Sequence, residues 1–260
     1  MGFRLTLSLA LALAAAAGGA QANSIADLGL TLEQVRALNA QLTAPIAAPG
    51  IAFGSPTAYG AGWGQSFSGI GGQTVSTAQD DVDGSALLGF GLGDSHRYLA
   101  LEAAMNVVSL TEGLGQDGNW SFKFHHTFSD RSALALGFHE AAGWGDASDT
   151  HTSTYAAYTT VLEIDPAAFK RPLTLAVTAG LGDERFADPD DDLGAFSSVA
   201  LSWHRQSSVI LDFNGRELGA AVSAVPFYRI PLVFTAGLIN LTERHADMEF
   251  AAGIGYLHSF

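Results

Sequence analysis

The chain closes on an alternation. Phe250, Ala252, Ile254, Tyr256, His258 and Phe260 fall on one phase of a period-two pattern, and Ala251, Gly253, Gly255 and Ser259 on the other, with Leu257 the exception. Successive side chains of a strand point to opposite faces, so this segment has one apolar face and one small or polar face. A strand of about ten residues with those faces suits a closed barrel that turns its apolar side to lipid and its polar side to a lumen.

From Tyr59 onward about twelve strand candidates carry the same pattern. The first sets Tyr59, Ala61, Trp63 and Phe67 against Gly60, Gly62, Gly64, Ser66 and Ser68. The second carries Ala86, Leu88, Phe90 and Leu92, and the third Leu99, Leu101, Ala103, Met105 and Val107. In the fourth, Trp120, Phe122, Phe124, His126 and Phe128 oppose Ser121, Lys123, His125 and Thr127. Leu134, Leu136 and Phe138 mark the fifth; the sixth runs from about Thr154 to Ile164 with its face ambiguous. Leu173 to Leu181, Val199 to Trp203 and Val209 to Phe213 follow, and Asn214-Gly215 is a hairpin signal leading to Leu218, Ala220 and Val222. Leu232, Phe234, Ala236 and Leu238 precede the terminal strand. The expected fold is therefore all-β: a membrane-spanning, antiparallel up-and-down β-barrel of about twelve strands, with ten or fourteen as the neighbouring counts.

Connection lengths agree with that. Odd-numbered connections are long, such as Gln73–Asp83, Thr111–Asn119 and Ala187–Gly194, and even ones terse, such as Ser129-Asp130-Arg131 and Arg205-Gln206-Ser207, with two exceptions, the short Asn214-Gly215 and the longer Asp165–Pro172. Short inner turns and longer outer loops are the habit of bacterial barrels, and they leave the carboxyl terminus in the periplasm. A soluble β-sandwich would alternate too, but its polar face would meet bulk water. Here that face is Gly, Ala, Ser and Thr more than Lys and Glu. Trp63, Tyr98, Trp120, Phe128, Trp203 and Phe260 near strand ends fit interfacial aromatic girdles.

A last strand that stops at Phe260, with Tyr256 on the same face, resembles the recognition signal of bacterial outer-membrane proteins. The resemblance is to that broad class. It implies an assembly signal at Tyr256 and Phe260, the barrel-assembly machinery as a partner, and the outer membrane of a Gram-negative bacterium, with its lipid and lipopolysaccharide, as the setting.

The amino-terminal end reads as export. Met1 to Arg4 is weakly positive, Leu5 to Ala17 is uninterrupted Leu, Ala, Thr and Ser, and Ala20-Gln21-Ala22 fits a cleavage site. An apolar run this short does not span a bilayer core of about 30 Å as a helix. Residues 1–22 are thus expected as a cleavable signal peptide, 23–57 as a periplasmic lead-in with a short helix, and 58–260 as the barrel. In the lead-in, Thr31 and Gln34 match a capping box, and Leu32, Val35, Leu38 and Leu42 recur near helical period. Its length favours a short helix packed at the barrel rim, or partial disorder, over a plug that enters the lumen.

The formal charge is -14 and there is no Cys. That balance excludes nucleic acid as a partner, because phosphate binding asks for a basic surface, and no disulfide is available. Function has to come from lumen and loops. Glu102, Lys123, His125, Glu163, Asp212, Arg216 and Glu249 fall on the inward phase or at strand ends. They either line a water-filled pore or pair across a closed lumen. Asp80, Asp81 and Asp83, with Asp188, Asp190, Asp191 and Asp192, make acidic outer loops. Neither cluster has the ordered spacing of a calcium loop, so no metal or other cofactor is expected. The leading expectation is a narrow, porin-like channel for small hydrophilic solutes with cation or neutral preference. The alternative is a non-conducting barrel that displays its loops. Catalysis is not expected, although outer-membrane lipid hydrolases of similar size exist. His126 and Ser129, His139 and Asp146, and His258 give no motif, and Gly64-Gln65-Ser66-Phe67 lacks the second Gly of a nucleophile elbow. A Ser–His pair within hydrogen-bond reach on the outer half of the wall would revive that reading.

Overall fold

In the computed structural model, residues 47–74, 82–108, 115–164, 173–245 and 247–260 are described. The export segment, the capping-box helix, Asp80 and Asp81 lie outside them. Twelve antiparallel strands join each to its sequence neighbour and close β1 onto β12. They are β1 (Gln65–Thr74), β2 (Val82–Gly93), β3 (Ala100–Val108), β4 (Asp117–Ser129), β5 (Ser132–Trp144) and β6 (Ser153–Ile164). The second half comprises β7 (Leu173–Gly182), β8 (Gly194–His204), β9 (Ser207–Phe213), β10 (Leu218–Ala224), β11 (Leu232–Ile239) and β12 (Glu249–Ser259). Closure is in register from Gln65 opposite Ser259 to Gln73 opposite Ala251.

The end of the barrel where β1 begins and β12 ends is called proximal here, and the other end distal. The proximal turns after β4 and β8 are tight, and the distal loops after β5 and β7 carry short 3-10 turns at Gly145–Asp149 and Glu184–Phe186.

The alternation sorts side chains as its physics requires. Leu134, Leu136, Val209, Leu211 and Val222 point outward and are exposed, while Ala133, Ala135, Ser208, Ile210 and Asp212 point inward and are buried. The ambiguous face of β6 resolves with Tyr155, Ala157 and Thr159 inside. Of the predicted girdle, Trp63, Tyr98, Phe128, Trp203 and Phe260 are exposed and collect at the proximal end; Trp120 lies near the distal start of β4.

Two expectations about the start of the barrel are corrected. The first strand is Gln65–Thr74, not Tyr59 to Ser68, and its phase is reversed. Phe67 pairs with Gly89 on the inner face, and Ser66 and Ser68 face outward. The inner face there has room for a phenyl ring because its partner on β2 is a glycine: a Cβ on Gly89 would lie 2.2 Å from the Phe67 ring. The second correction concerns residues 47–62. The sequence favours the rim for the lead-in and a barrel strand from residue 58, but the structure threads 47–62 through the lumen as a plug, with which the barrel forms one compact unit.

Candidate functional site

The plug is built from small residues and held mostly by its main chain. It enters from the proximal side, where the Gly50 N–H donates to Ser223 Oγ (2.8 Å) on β10 and its carbonyl accepts from Ser208 Oγ (2.6 Å) on β9. The Ile51 carbonyl accepts from Ser198 on β8 (3.1 Å). Ile51 and Phe53 then pack against an apolar floor of Ala176, Ala200, Ile210 and Ala221. Near the distal end the segment turns back at Ser55 and Pro56. Asp212 is 2% exposed and accepts from the Phe53 N–H (2.9 Å) and the Ser55 hydroxyl (2.7 Å). A buried carboxylate is costly unless its lone pairs are occupied, and the plug occupies them.

The returning limb crosses to the opposite wall. The Ala58 N–H donates to Thr159 Oγ1 on β6 (2.9 Å). Lys123 and Glu102, paired at 2.8 Å across β3 and β4, then grip adjacent peptides: Lys123 Nζ donates to the Tyr59 carbonyl (2.8 Å) and the Ala61 N–H donates to Glu102 Oε2 (2.7 Å). His125 Nε2 donates to the Ala61 carbonyl at 3.0 Å. Gly60 passes so close to this latch that a Cβ would sit 2.8 Å from both His125 and Lys123. At the base, the Trp63 N–H bonds the Gly93 carbonyl (2.8 Å) before the chain enters β1.

Four of the candidate inward groups act on the plug and not on one another alone. Glu102, Lys123, His125 and Asp212 meet on the plug. The others do not join them. Glu163 pairs with Arg131 at the exposed proximal rim (3.0 Å), and Glu249 opens β12 at the distal rim, opposite Ile239. Arg216, in the β9–β10 turn, donates to the Ala187 and Glu184 carbonyls of the β7–β8 loop.

That loop is a lid. Phe186 is fully buried against Tyr155 and Phe196, with ring centroids 5.6 and 4.8 Å away. Gly194 and Gly215 let it in, because a Cβ on either would lie within about 2 Å of the Phe186 carbonyl oxygen. Asp188, expected at an acidic mouth, is instead paired with Arg244 (3.3 Å) and His245 (3.4 Å). Asp190, Asp191 and Asp192 are exposed on the same loop, and Asp83 pairs with Gln73 in the ladder. Beside the lid, Glu217 accepts from the Thr242 hydroxyl and the His245 N–H. Burial pushes its carboxyl up, but these bonds, with those from the His245 ring and the Arg244 N–H, outweigh burial and hold it below its ordinary 4.5. Among the described residues no three His, Asp or Glu converge on a point that could hold a metal ion.

Among the described residues, the plug's side-chain partners lie on β3 to β10 and leave a cavity beside it. A cavity of about 940 Å³ runs along the inner faces of β11, β12, β1 and β2, where Gly69, Gly71, Gly253 and Gly255 contribute no side chains. Gln65 and Gln73 both line it, so it follows β1 almost end to end. Those eight steps cover about 26 Å at about 3.3 Å per residue. Its lining is mostly Gly, Ala and Ser, with Gln, Thr235, Tyr59, Tyr256, His258 and a few apolar residues; Glu102, its one carboxylate, is already paired with Lys123.

A Ser–His contact also occurs. Ser121 Oγ lies 3.3 Å from His139 Nδ1 in the distal half, beside a register shift between β4 and β5 and next to Glu140 at φ 57. It faces the lumen and continues a polar ladder, since Asn106 Nδ2 donates to Ser121 Oγ (3.2 Å) and to Asn119 Oδ1 (2.8 Å). No carboxylate bonds His139 among the described residues. Tyr256 and Phe260 face outward on β12, the latter at the proximal rim with its N–H on the Gly64 carbonyl (2.8 Å).

Compared with models of known protein families and with curated proteins, the sequence matches none. The fold defines the class: a closed twelve-stranded up-and-down barrel with an internal plug and a distal lid.

Proposed function

We propose that this protein sits in the outer membrane of a Gram-negative bacterium and passes small hydrophilic solutes through the crescent between plug and wall. The outward faces of the strands support the membrane: they are aliphatic along the barrel, end in exposed aromatics at the proximal rim, and among the described residues have no counterpart to cover them. The observation that carries the channel is the glycine-walled cavity along β1 and β12. Among the cation and neutral alternatives, its lining favours neutral solutes, since its single carboxylate is already neutralised by a lysine. The plug beside it and the Glu102 side of the latch keep it narrow.

The test is single-channel recording of the refolded protein in a planar bilayer, with a salt-gradient reversal potential. Small, steady steps of weak charge selectivity are expected. A folded, heat-modifiable barrel that never conducts would refute the channel and leave a structural, loop-displaying barrel. A second reading rests on one contact, Ser121 with His139. If that serine is an acyl-transfer nucleophile, a fluorophosphonate will label it in the folded protein and will not label a His139→Gln variant.

A further inference from the structure

The plug is bound in an unusual way for a structural element. Its hydrogen bonds to the wall run almost entirely through its peptide groups, and they reach side chains of the wall that arrive from six different strands. Ser55 supplies the only plug side chain hydrogen-bonded to the wall among the described residues. Side-chain recognition is confined to the apolar floor under Ile51 and Phe53, two residues apart as on one face of an extended chain. Elsewhere the plug is Gly, Ala, Ser, Thr and Pro, apart from Tyr59, whose hydroxyl finds no partner.

We infer that the inner wall of β3, β4, β6 and β8–β10 is a binding site for extended polypeptide, and that residues 47–62 occupy it as an internal pseudo-ligand. Donors and acceptors aimed at main-chain groups recognise any extended chain that fits; the floor under Ile51 and Phe53 selects two apolar side chains at alternate positions. The latch is suited to the same task. Glu102 takes a peptide N–H while Lys123 and His125 take carbonyls, so a carboxylate and two donors read consecutive peptides with no demand on side chains. A small ligand residue is required where Gly60 passes His125, and the wall itself must be small at Gly91, on which a Cβ would lie 2.2 Å from the plug backbone at Ala61. The ligand class is therefore an extended peptide of small residues with an aliphatic or aromatic side chain at two alternate positions. This names a substrate for the passage proposed above, and its binding arm does not depend on conduction.

The test severs the plug after folding. A protease site is inserted between Trp63, which is 74% exposed, and Gly64; the full chain is folded and then cut. A fluorescent peptide of residues 47–62 is added, and its binding is followed by anisotropy. The expected result is reversible binding that competes with the severed segment. The same peptide N-methylated at Phe53, Ala58 and Ala61 keeps every side chain but loses three donors, and should bind at least tenfold more weakly. Replacing Ile51 and Phe53 by Ser should weaken it as well. Equal binding of the N-methylated peptide would refute main-chain recognition. A severed segment that never exchanges would make the plug a permanent strut and overturn the proposal. Recording conductance of the same cut sample separates the two ideas: binding without conduction defeats the channel alone, and conduction without exchange defeats the peptide site alone.

Discussion

Replacing Asp212 by Ala removes the acceptor around which the plug turns. The carboxylate takes two hydrogen bonds from the plug, from the Phe53 N–H and the Ser55 hydroxyl, in a site 2% exposed. A hydrogen bond to a charged group contributes about 1.5–3 kcal/mol. The lower figure suits this site, because water from the adjoining lumen can replace the lost acceptor in part. Two such bonds come to about 3 kcal/mol, which at 1.4 kcal/mol per decade raises the open population of this limb by about two orders of magnitude. Amide exchange in the plug reports that population directly. Hydrogen–deuterium exchange by mass spectrometry should therefore show peptides spanning 50–58 exchanging about 100-fold faster, with β9 and β10 unchanged. Asp212→Asn, which keeps one neutral acceptor, should fall between. An Asp212→Ala barrel whose plug exchanges at the wild-type rate would refute the claim that this carboxylate anchors it. Equal acceleration across β9 and β10 would show general destabilisation instead.

Four further outcomes follow from the geometry. Gly91→Ala sets a Cβ 2.2 Å from the Ala61 backbone; the barrel should stay heat-modifiable, while conductance steps grow as the plug is pushed off the wall. Gly255→Phe places a ring in the crescent, where a Cβ meets only backbone oxygens at 3.9 and 4.0 Å; conductance should fall by half or more with little loss of stability. Phe186→Ala empties the core of the lid and should cost about 3–5 kcal/mol locally, read as faster proteolysis within 183–193. Glu217 supplies a pH test: its folded carboxyl lies below 4.5, so the stability it contributes is present above that value and is lost as pH falls through the folded value. Pepsin cleavage of the distal loops should rise across that acidic window in the wild type and be independent of it in Glu217→Gln.

The wall was legible from the chain because its chemistry is local. Outward residues from Ala86 to Leu92, Leu134 and Leu136, and Leu232 to Leu238 keep one phase, and the structure keeps it too. The first strand misled because Tyr59 to Ser68 alternates as a strand does while half of it is plug. Glycine there serves close approach to His125 and to β2 and does not mark a lumen face. The plug was harder to read, since its partners lie 41 to 173 residues away. A signal did exist. Asp212 stands on a buried inward phase with Ser208 and Ile210 and has no cation beside it in the β9 and β10 register, so something else had to supply donors. The alternation alone does not pair Glu102 with Lys123; only the ladder rung that sets Glu102 opposite Lys123 shows that they act together.

The closing seam also governs the order in which this molecule can form. β1 follows the plug directly in the chain and pairs with β12, joining residues 65–73 to 251–259. Every hairpin between them can zip locally, but the loop-closure entropy of this last pairing is the largest in the fold. Until it forms, the sheet is open and the segment ahead of β1 can be laid along β3 to β10 from the side. Once β12 docks, the same segment is enclosed. The barrel is thus assembled around its occupant, and a chain that closed before the plug was seated would have to thread it through a narrow mouth.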